Sequence, residues 1–278
     1  MPELPEVETI ARSLRPELVG MTILEAEVFW PRTIALPSVR RFKQEIRGQV
    51  IREVGRRAKF LRLVLTDYEL LIHLRMTGDL ALTRGLIVPA KHDRLILTLR
   101  APRTTRHPAR ARRDYSLAFN DARKFGRVWL TANPEEITGR LGPEPLGDDF
   151  TPQWLSEALR NRHRQLKPLL LDQTFLAGLG NIYTDESLHR ARLHPLALSD
   201  SLSARKAERL HAAIRLTLEE GIRRNGASFD WVYRGGDFQN YFRVYDREGK
   251  PCPVCGTPIR RLVVGQRSTH ICPHCQKE

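Results

Sequence analysis

Ala132 to Pro152 read ANPEEITGRLGPEPLGDDFTP, and this stretch divides the chain. Gly139, Gly142, Pro143, Pro145, Gly147 and Pro152 crowd it, and such a density of breakers marks a boundary that few contacts cross. On its N-terminal side, from about residue 20 to 132, apolar residues alternate as in strands: Leu95, Leu97 and Leu99 interleave with Arg94, Thr98 and Arg100. On its C-terminal side the period becomes helical, as in Leu210, Ile214, Leu218 and Ile222 behind a candidate N-cap at Ser203. One helix precedes the strands, because Leu4, Val7, Ile10, Ala11 and Leu14 follow helical spacing behind Pro5, a residue suited to a first turn. The fold class is therefore α+β, with a β-rich domain over 1–132, a linker over 133–150, a helical domain over 151–236 and a terminal segment over 237–278. No internal repeat is present.

The terminal segment carries the sharpest spacing signal. Cys252 and Cys255 form one C-x2-C pair, Cys272 and Cys275 a second, and 16 residues separate the pairs. This is the arrangement of a four-thiolate zinc site, and the short Pro- and Gly-containing segment suits a metal-held β-hairpin. Four sulfurs fill a tetrahedral ion, so one structural, noncatalytic Zn2+ is expected. All four cysteines lie in the last 27 residues, which argues against a secreted disulfide framework. Arg260, Arg261 and Arg267 lie between the pairs and read either as a DNA-contacting finger or as a solvated basic loop.

Forty-six Lys and Arg against thirty-two Asp and Glu leave a formal charge of +14, with a pI near 10.2. Such a surface favours a polyanionic partner, nucleic acid first. A lipid surface fits poorly, since no apolar run reaches the roughly 20 residues of a membrane span and no lipidation signal is present. The opening Met1-Pro2-Glu3 is not a secretory signal, so a cytoplasmic location is expected.

The opening residues 2–8, PELPEVE, closely resemble the N-terminal signature of the formamidopyrimidine-DNA glycosylase family. Further matches follow in that family's order: GRRAKFL at 55–61, HLRMTG at 73–78, DARKFG at 121–126, LGPEPL at 141–146, GLGNIYTDES at 178–187, and the cysteine pairs. Leu4 favours this branch over the related endonuclease VIII branch, which begins Pro-Glu-Gly-Pro-Glu. The resemblance implies an N-terminal β-sandwich with flanking helices, a helix-two-turn-helix domain and a zinc finger. It also implies a bifunctional DNA glycosylase and abasic-site lyase acting in base excision repair of oxidised purines in duplex DNA, as a bacterial, nucleoid-associated monomer.

Chemistry accounts for these residues as well. Removal of Met1 exposes the secondary amine of Pro2, whose reference pKa of about 8 leaves neutral nucleophile at physiological pH. Attack on the sugar C1′ expels the base, and the resulting iminium acidifies the C2′ proton for β- and then δ-elimination. Glu3 stands next in the chain as the family's general acid/base. Glu6 matches another family acid and equally suits a favourable charge in a first helical turn. By the same resemblance Lys59 binds phosphate and assists elimination, and Arg267 serves the δ-elimination step. His73, His92, Arg162, Lys167 and Asn181 are expected DNA contacts. Met76, Arg123 and Phe125 match the family's trio inserted where a nucleotide leaves the stack; on pattern alone Met76 and Phe125 read as core, and Gly180 as a helix C-cap.

Two stretches depart from the family. Arg100 to Arg113 holds six arginines and His107 without an acid, and reads as a DNA-tracking arm or a solvated loop. Gly226 to Gly236, GASFDWVYRGG, stands where the family carries its lesion-contacting loop, yet lacks the usual double threonine or serine-threonine and holds Trp231 and Tyr233. Two further readings therefore stand beside the first: the same mechanism on oxidised pyrimidines, and a noncatalytic DNA-binding zinc-finger protein that leaves Pro2, Glu3 and Lys59 idle.

Overall fold

The computed structural model describes residues 2–102, 114–228 and 235–277. They divide into two compact units, one built on residues 6–139 together with Pro2, the other on Glu3–Pro5 and on the chain from Arg140 onward.

In the first unit, alternation has produced two sheets. Strands β1 (Thr22–Val28), β6 (Gly78–Arg84), β7 (Asp93–Arg100) and β8 (Asp114–Asp121) form an antiparallel sheet in the order β1-β7-β8-β6. Strands β2 (Ile34–Leu36), β3 (Glu53–Arg57), β4 (Phe60–Val64), β5 (Glu69–His73) and β9 (Arg127–Thr131) form the other, in the order β2-β9-β5-β4-β3, with β2 parallel to β9. Leu95, Leu97 and Leu99 of the first sheet share one buried cluster with Leu61, Leu63, Leu70 and Ile72 of the second, which is the core of a sandwich. Burial of each such side chain stabilises by roughly 1.5–3 kcal/mol. Arg94, on the opposite face of β7, is buried too, because its Nε donates to the Asp121 carbonyl at 2.7 Å.

Helix α1 (Leu4–Leu18) sends Val7, Ile10, Ala11 and Leu14 into that cluster. A second helix, α2 (Val39–Ile46), interrupts the strand-rich stretch. Ser38 caps it by accepting from Arg41 N–H, and Phe42 and Ile46, four apart, are its buried contacts.

The second unit is helical. The breaker-rich stretch opens with a short helix, α3 (Glu135–Thr138). From Arg140 it is not a slack connection: Gly142 N–H donates to the Gln173 carbonyl, and Arg215 Nη1 to that of Gly147. Breakers prevent regular elements there, but their carbonyls remain available to side chains. Helices α4 (Pro152–Arg160), α5 (Leu166–Leu171), α6 (Asn181–Ala191) and α7 (Ala204–Arg223) enclose a core that includes Leu210, Ile214, Leu218 and Ile222. Ser203 caps α7 as expected, accepting from Lys206 N–H.

Strands β10 (Arg260–Val264) and β11 (Arg267–Ile271) pair as an antiparallel hairpin beside the cysteines. The ligand atoms of Cys252, Cys255, Cys272 and Cys275 all lie within 4.8 Å of one another. Their close Sγ···Sγ separations are 3.4, 3.5 and 4.0 Å. A tetrahedral ion with about 2.3 Å bonds to sulfur needs separations of about 3.8 Å, so the donors fit one Zn2+. Backbone N–H groups of Val254 and Cys275 point at Cys252 and Cys272 sulfur, an arrangement that favours thiolates. The finger's core is otherwise only Val244 and Ile259, too little to hold a hairpin alone. One zinc equivalent per chain is expected on elemental analysis. Its chelation should open the hairpin to trypsin at Arg260 and Arg261 while the helices persist, and a hairpin equally resistant without metal would contradict this.

Candidate active site

The stretch around Gly178 to Asn181 is shaped by the chain's beginning. Glu3 is buried, and its Oε2 accepts from Gly180 N–H at 2.6 Å and from Tyr183 N–H at 3.4 Å, while Oε1 accepts from Ile182 N–H at 3.0 Å. The first turn of a helix leaves such donors without intrahelical partners and carries the positive end of the macrodipole, so a carboxylate belongs there. Gly180 is therefore the N-cap of α6 and not a C-cap, and a Cβ at this position would overlap the Glu3 carboxyl. Gly178 adopts φ +93°, and its carbonyl accepts from Leu4 N–H at 3.1 Å. Glycines here let the chain pass close to residues 3 and 4. Pro2, the residue before this anchor, is buried. Glu6 is buried in the first turn of α1.

Helix α6 also holds the finger. Asp185 Oδ1 receives Lys167 Nζ at 2.6 Å, and its Oδ2 receives His270 N–H at 2.9 Å. Lys167 Nζ also donates to the Ser268 carbonyl at 2.9 Å, as does Asn181 Nδ2 at 2.9 Å. Lys167 and Asp185 are wholly enclosed, and burial pulls the Lys167 ammonium below its ordinary pKa against the opposing pull of Asp185. The expected Lys167–DNA contact is thus corrected: an ammonium with no exposed surface, committed to a carboxylate and a carbonyl, ties β11 to α6. Arg267, the residue before Ser268, is exposed. Glu186 accepts from the N–H groups of Arg243, Val244 and Tyr245, securing the segment that leads to the cysteines. Arg162 is exposed, its guanidinium 5.0 Å from the Phe175 ring.

In the first unit a second group gathers. Lys59 is not a strand residue; it lies with Ala58 (φ +51°) in the turn joining β3 to β4 and is only 6 % exposed. The next residue, Phe60, stands opposite His73 in the sheet, with ring centroids 4.9 Å apart. His73 Nδ1 accepts from Arg75 N–H at 3.0 Å, which leaves the proton on Nε2. Burial, with the Arg75 and Lys59 cations nearby, holds His73 down to about 3, so it presents a neutral N–H donor.

Met76 and Phe125 are 43 % and 47 % exposed, contrary to a core reading. The Arg123 guanidinium lies 4.9 Å from the Phe125 ring. Their two loops are bound together by Asp121, which the motif contained but to which no role was assigned. Its carboxylate accepts from the Thr77 hydroxyl, from Arg123 N–H at 3.2 Å and from Gly126 N–H at 2.7 Å. Asp121 N–H donates to the His92 carbonyl, so the partly exposed His92 belongs to the same array. Asp185 and Glu186 went equally unassigned, although a run of acids in an otherwise helix-like stretch of a basic chain was visible. Most of Arg100–Arg113, together with Trp231 and Tyr233, lies outside the described residues.

Three family descriptions match the chain in succession: the formamidopyrimidine-DNA glycosylase N-terminal domain over residues 1–128, the formamidopyrimidine-DNA glycosylase H2TH domain over 141–231, and the zinc finger found in FPG and IleRS over 249–277. A formamidopyrimidine-DNA glycosylase of Pelotomaculum thermopropionicum is 45 % identical over 286 residues, covering 100 % of this chain and 99 % of that protein. One of Chloroflexus aggregans is 46 % identical, covering 99 % and 98 %. Among solved structures, a complex of Lactococcus lactis Fpg with DNA containing an abasic site superposes with a TM-score of 0.89 at 35 % identity, over 100 % of both chains. The sandwich, the glycine-shaped start of α6 and the four-cysteine hairpin thus occur in the order and over the lengths that these relatives share, and the chain belongs to the formamidopyrimidine-DNA glycosylase family.

Proposed function

We propose that this protein removes oxidised purines, 8-oxoguanine and formamidopyrimidines, from bacterial nucleoid DNA in the cytoplasm, and then cleaves the strand at the resulting abasic site. The observation that carries this reading is the seizure of Glu3 by three N–H groups of α6, which immobilises the residue bonded to Pro2. An amine nucleophile gains most from being held in one place, since fixed geometry replaces entropy otherwise lost at the transition state.

Once Met1 is removed, the Pro2 nitrogen attacks C1′ and the base departs with a proton. Glu3, held in one place by these N–H groups, stabilises the developing positive charge and relays protons. The C1′–O4′ bond then opens as O4′ takes a proton, which gives the iminium; this loses its C2′ proton, the 3′ phosphate leaves, and a second elimination releases the 5′ phosphate. Lys59, His73, His92, Arg162, Asn181 and Arg267 hold phosphates; His73 does so as a neutral donor. Met76, Arg123 and Phe125 enter the stack as the damaged nucleotide leaves. Large apolar groups held partly exposed on loops braced by one carboxylate offer wedges for such insertion, which supports that role. Glu6, enclosed in the first turn of α1, serves as a helix-end charge.

Borohydride reduction during reaction with an 8-oxoguanine duplex is expected to trap one covalent adduct, mapping to Pro2 after Met1 removal. The absence of an adduct from protein with a free Pro2 amine would leave only a noncatalytic DNA-binding role. Parallel duplexes carrying oxidised pyrimidines decide the lesion class. Gly180→Ala should keep the fold yet slow trapping at least about tenfold, because about 1.4 kcal/mol of lost positioning suffices for that factor.

His73 has a folded pKa below its unfolded value of about 6.5, so its contribution to stability is present above pH 6.5 and lost as pH falls towards 3. His73→Gln should therefore flatten the acid side of the stability profile, as measured by urea unfolding between pH 7 and 4. A profile of unchanged slope would show that His73 titrates normally.

A further inference from the structure

A cavity lies in the helical unit, at the end of α6 remote from Glu3. It has a volume of about 400 Å³ and is lined by Arg192, Leu193, His194, Leu196, Ala197, Ser201, Leu202, Lys206 and Lys277. Arg192 is the C-cap of α6, whereas Asn181 is its first residue, so the two ends are roughly 16 Å apart at 1.5 Å per residue. The cavity is therefore separate from Glu3 and Asn181 at the start of α6.

Its construction is definite. Gln276 is buried and donates to the Leu193 carbonyl at 2.9 Å, while its Oε1 accepts from Cys272 N–H at 3.0 Å. This lock brings the end of the finger against residue 193 and sets the next residue, Lys277, at the rim. Arg192, Lys206 and Lys277 are exposed, and among the described residues none of them makes an ion pair. Among the described residues, no acid lines the cavity. Asp200, next to Ser201 of the lining, is engaged by His163 at 2.7 Å. Between the cations the wall offers Leu196, Ala197 and Leu202, each partly exposed, beside the polar His194 and Ser201.

Two chemistries coincide here, and together they define the occupant. Three unpaired cations around a concavity attract carboxylates or phosphates. A phosphate, or a duplex backbone, would leave the leucine wall facing water and gain nothing from it. A flexible peptide that places one large apolar side chain on that wall and acidic side chains against the rim satisfies both, and 400 Å³ is within the range of sites that hold such a group. We propose that this cavity is a docking site for an acidic peptide segment of another protein, with an apolar anchor residue flanked by Asp or Glu. The enzyme could thereby be held to a protein partner while its DNA-binding groups remain free.

The test uses full-length zinc-loaded protein and a fluorescein-labelled peptide, Asp-Asp-Glu-Leu-Asp-Asp-Phe, read by fluorescence anisotropy. Binding tighter than about 1 mM is expected, a weak affinity suited to a short flexible ligand. Weakening of at least tenfold is expected with a peptide whose Leu and Phe are Ala, and with the double variant Lys206→Glu, Lys277→Glu. That variant should retain the wild-type Tm, zinc content and cleavage of a lesion-bearing duplex. As a second variant, Ala197→Asp introduces an acid on the wall and should weaken binding by itself. The proposal is overturned if wild-type protein fails to bind, if the Ala peptide binds as well as the parent, or if the double variant binds unchanged. It is equally overturned if stoichiometric undamaged duplex DNA or millimolar inorganic phosphate displaces the peptide, since the acidic chain would then occupy a general anion surface.

Discussion

One carboxylate and three backbone N–H groups organise the catalytic end of this protein. Glu3 lies against the first turn of α6, where the donors of a helix have no partners of their own and an unsatisfied buried donor costs about 1–3 kcal/mol. The interaction constrains both sides. On one, it fixes a residue that would otherwise belong to a frayed terminus, and with it the proline whose nitrogen is the proposed nucleophile. On the other, it admits only glycine at position 180. The same helix then spends its next polar residues on the finger: Asp185 takes the Lys167 ammonium and the His270 amide, and Glu186 takes three amides of residues 243–245. A short helix that is buried almost all round is thus held by partnered charges as well as by its apolar residues Ile182, Tyr183, Leu188 and Ala191.

Asp121 plays the corresponding part in the first unit. Two loops that carry exposed Met76, Arg123 and Phe125 have no apolar reason to stay together. A buried carboxylate that accepts from both loops supplies one, and it turns three side chains on separate strand connections into a braced surface. The arrangement of these loops and of the finger therefore depends on buried acids. In a chain of formal charge +14, these few buried acids are the fixed points around which the cations are arranged.

Periodicity made most of the architecture legible. The β7 alternation, the α1 and α7 stripes, the Ser203 cap and the four cysteines all lie where their spacing places them, because each depends on a local rule: two residues per strand repeat, 3.6 per helical turn, four sulfurs per ion. The misreadings have one cause in common. Gly180 begins a helix, Lys167 is sealed from solvent, and Met76 and Phe125 are exposed. For each, the environment is set by residues far away in sequence: Glu3 for Gly180, Asp185 and Ser268 for Lys167, Asp121 for the exposed pair.

What the sequence by itself determined was therefore the set of elements, the zinc-binding thiols and the kinship of the chain, since all three are written in short-range spacing and in motifs of a few residues. What only the tertiary structure decided was which charged groups face solvent and which hold the protein together. Lys167 and Arg267 are both cations of the helical unit and look alike in a string of letters. One is a buried tie and the other an exposed hand, and the difference arises because desolvating a charge is tolerated only where a partner and a carbonyl meet it.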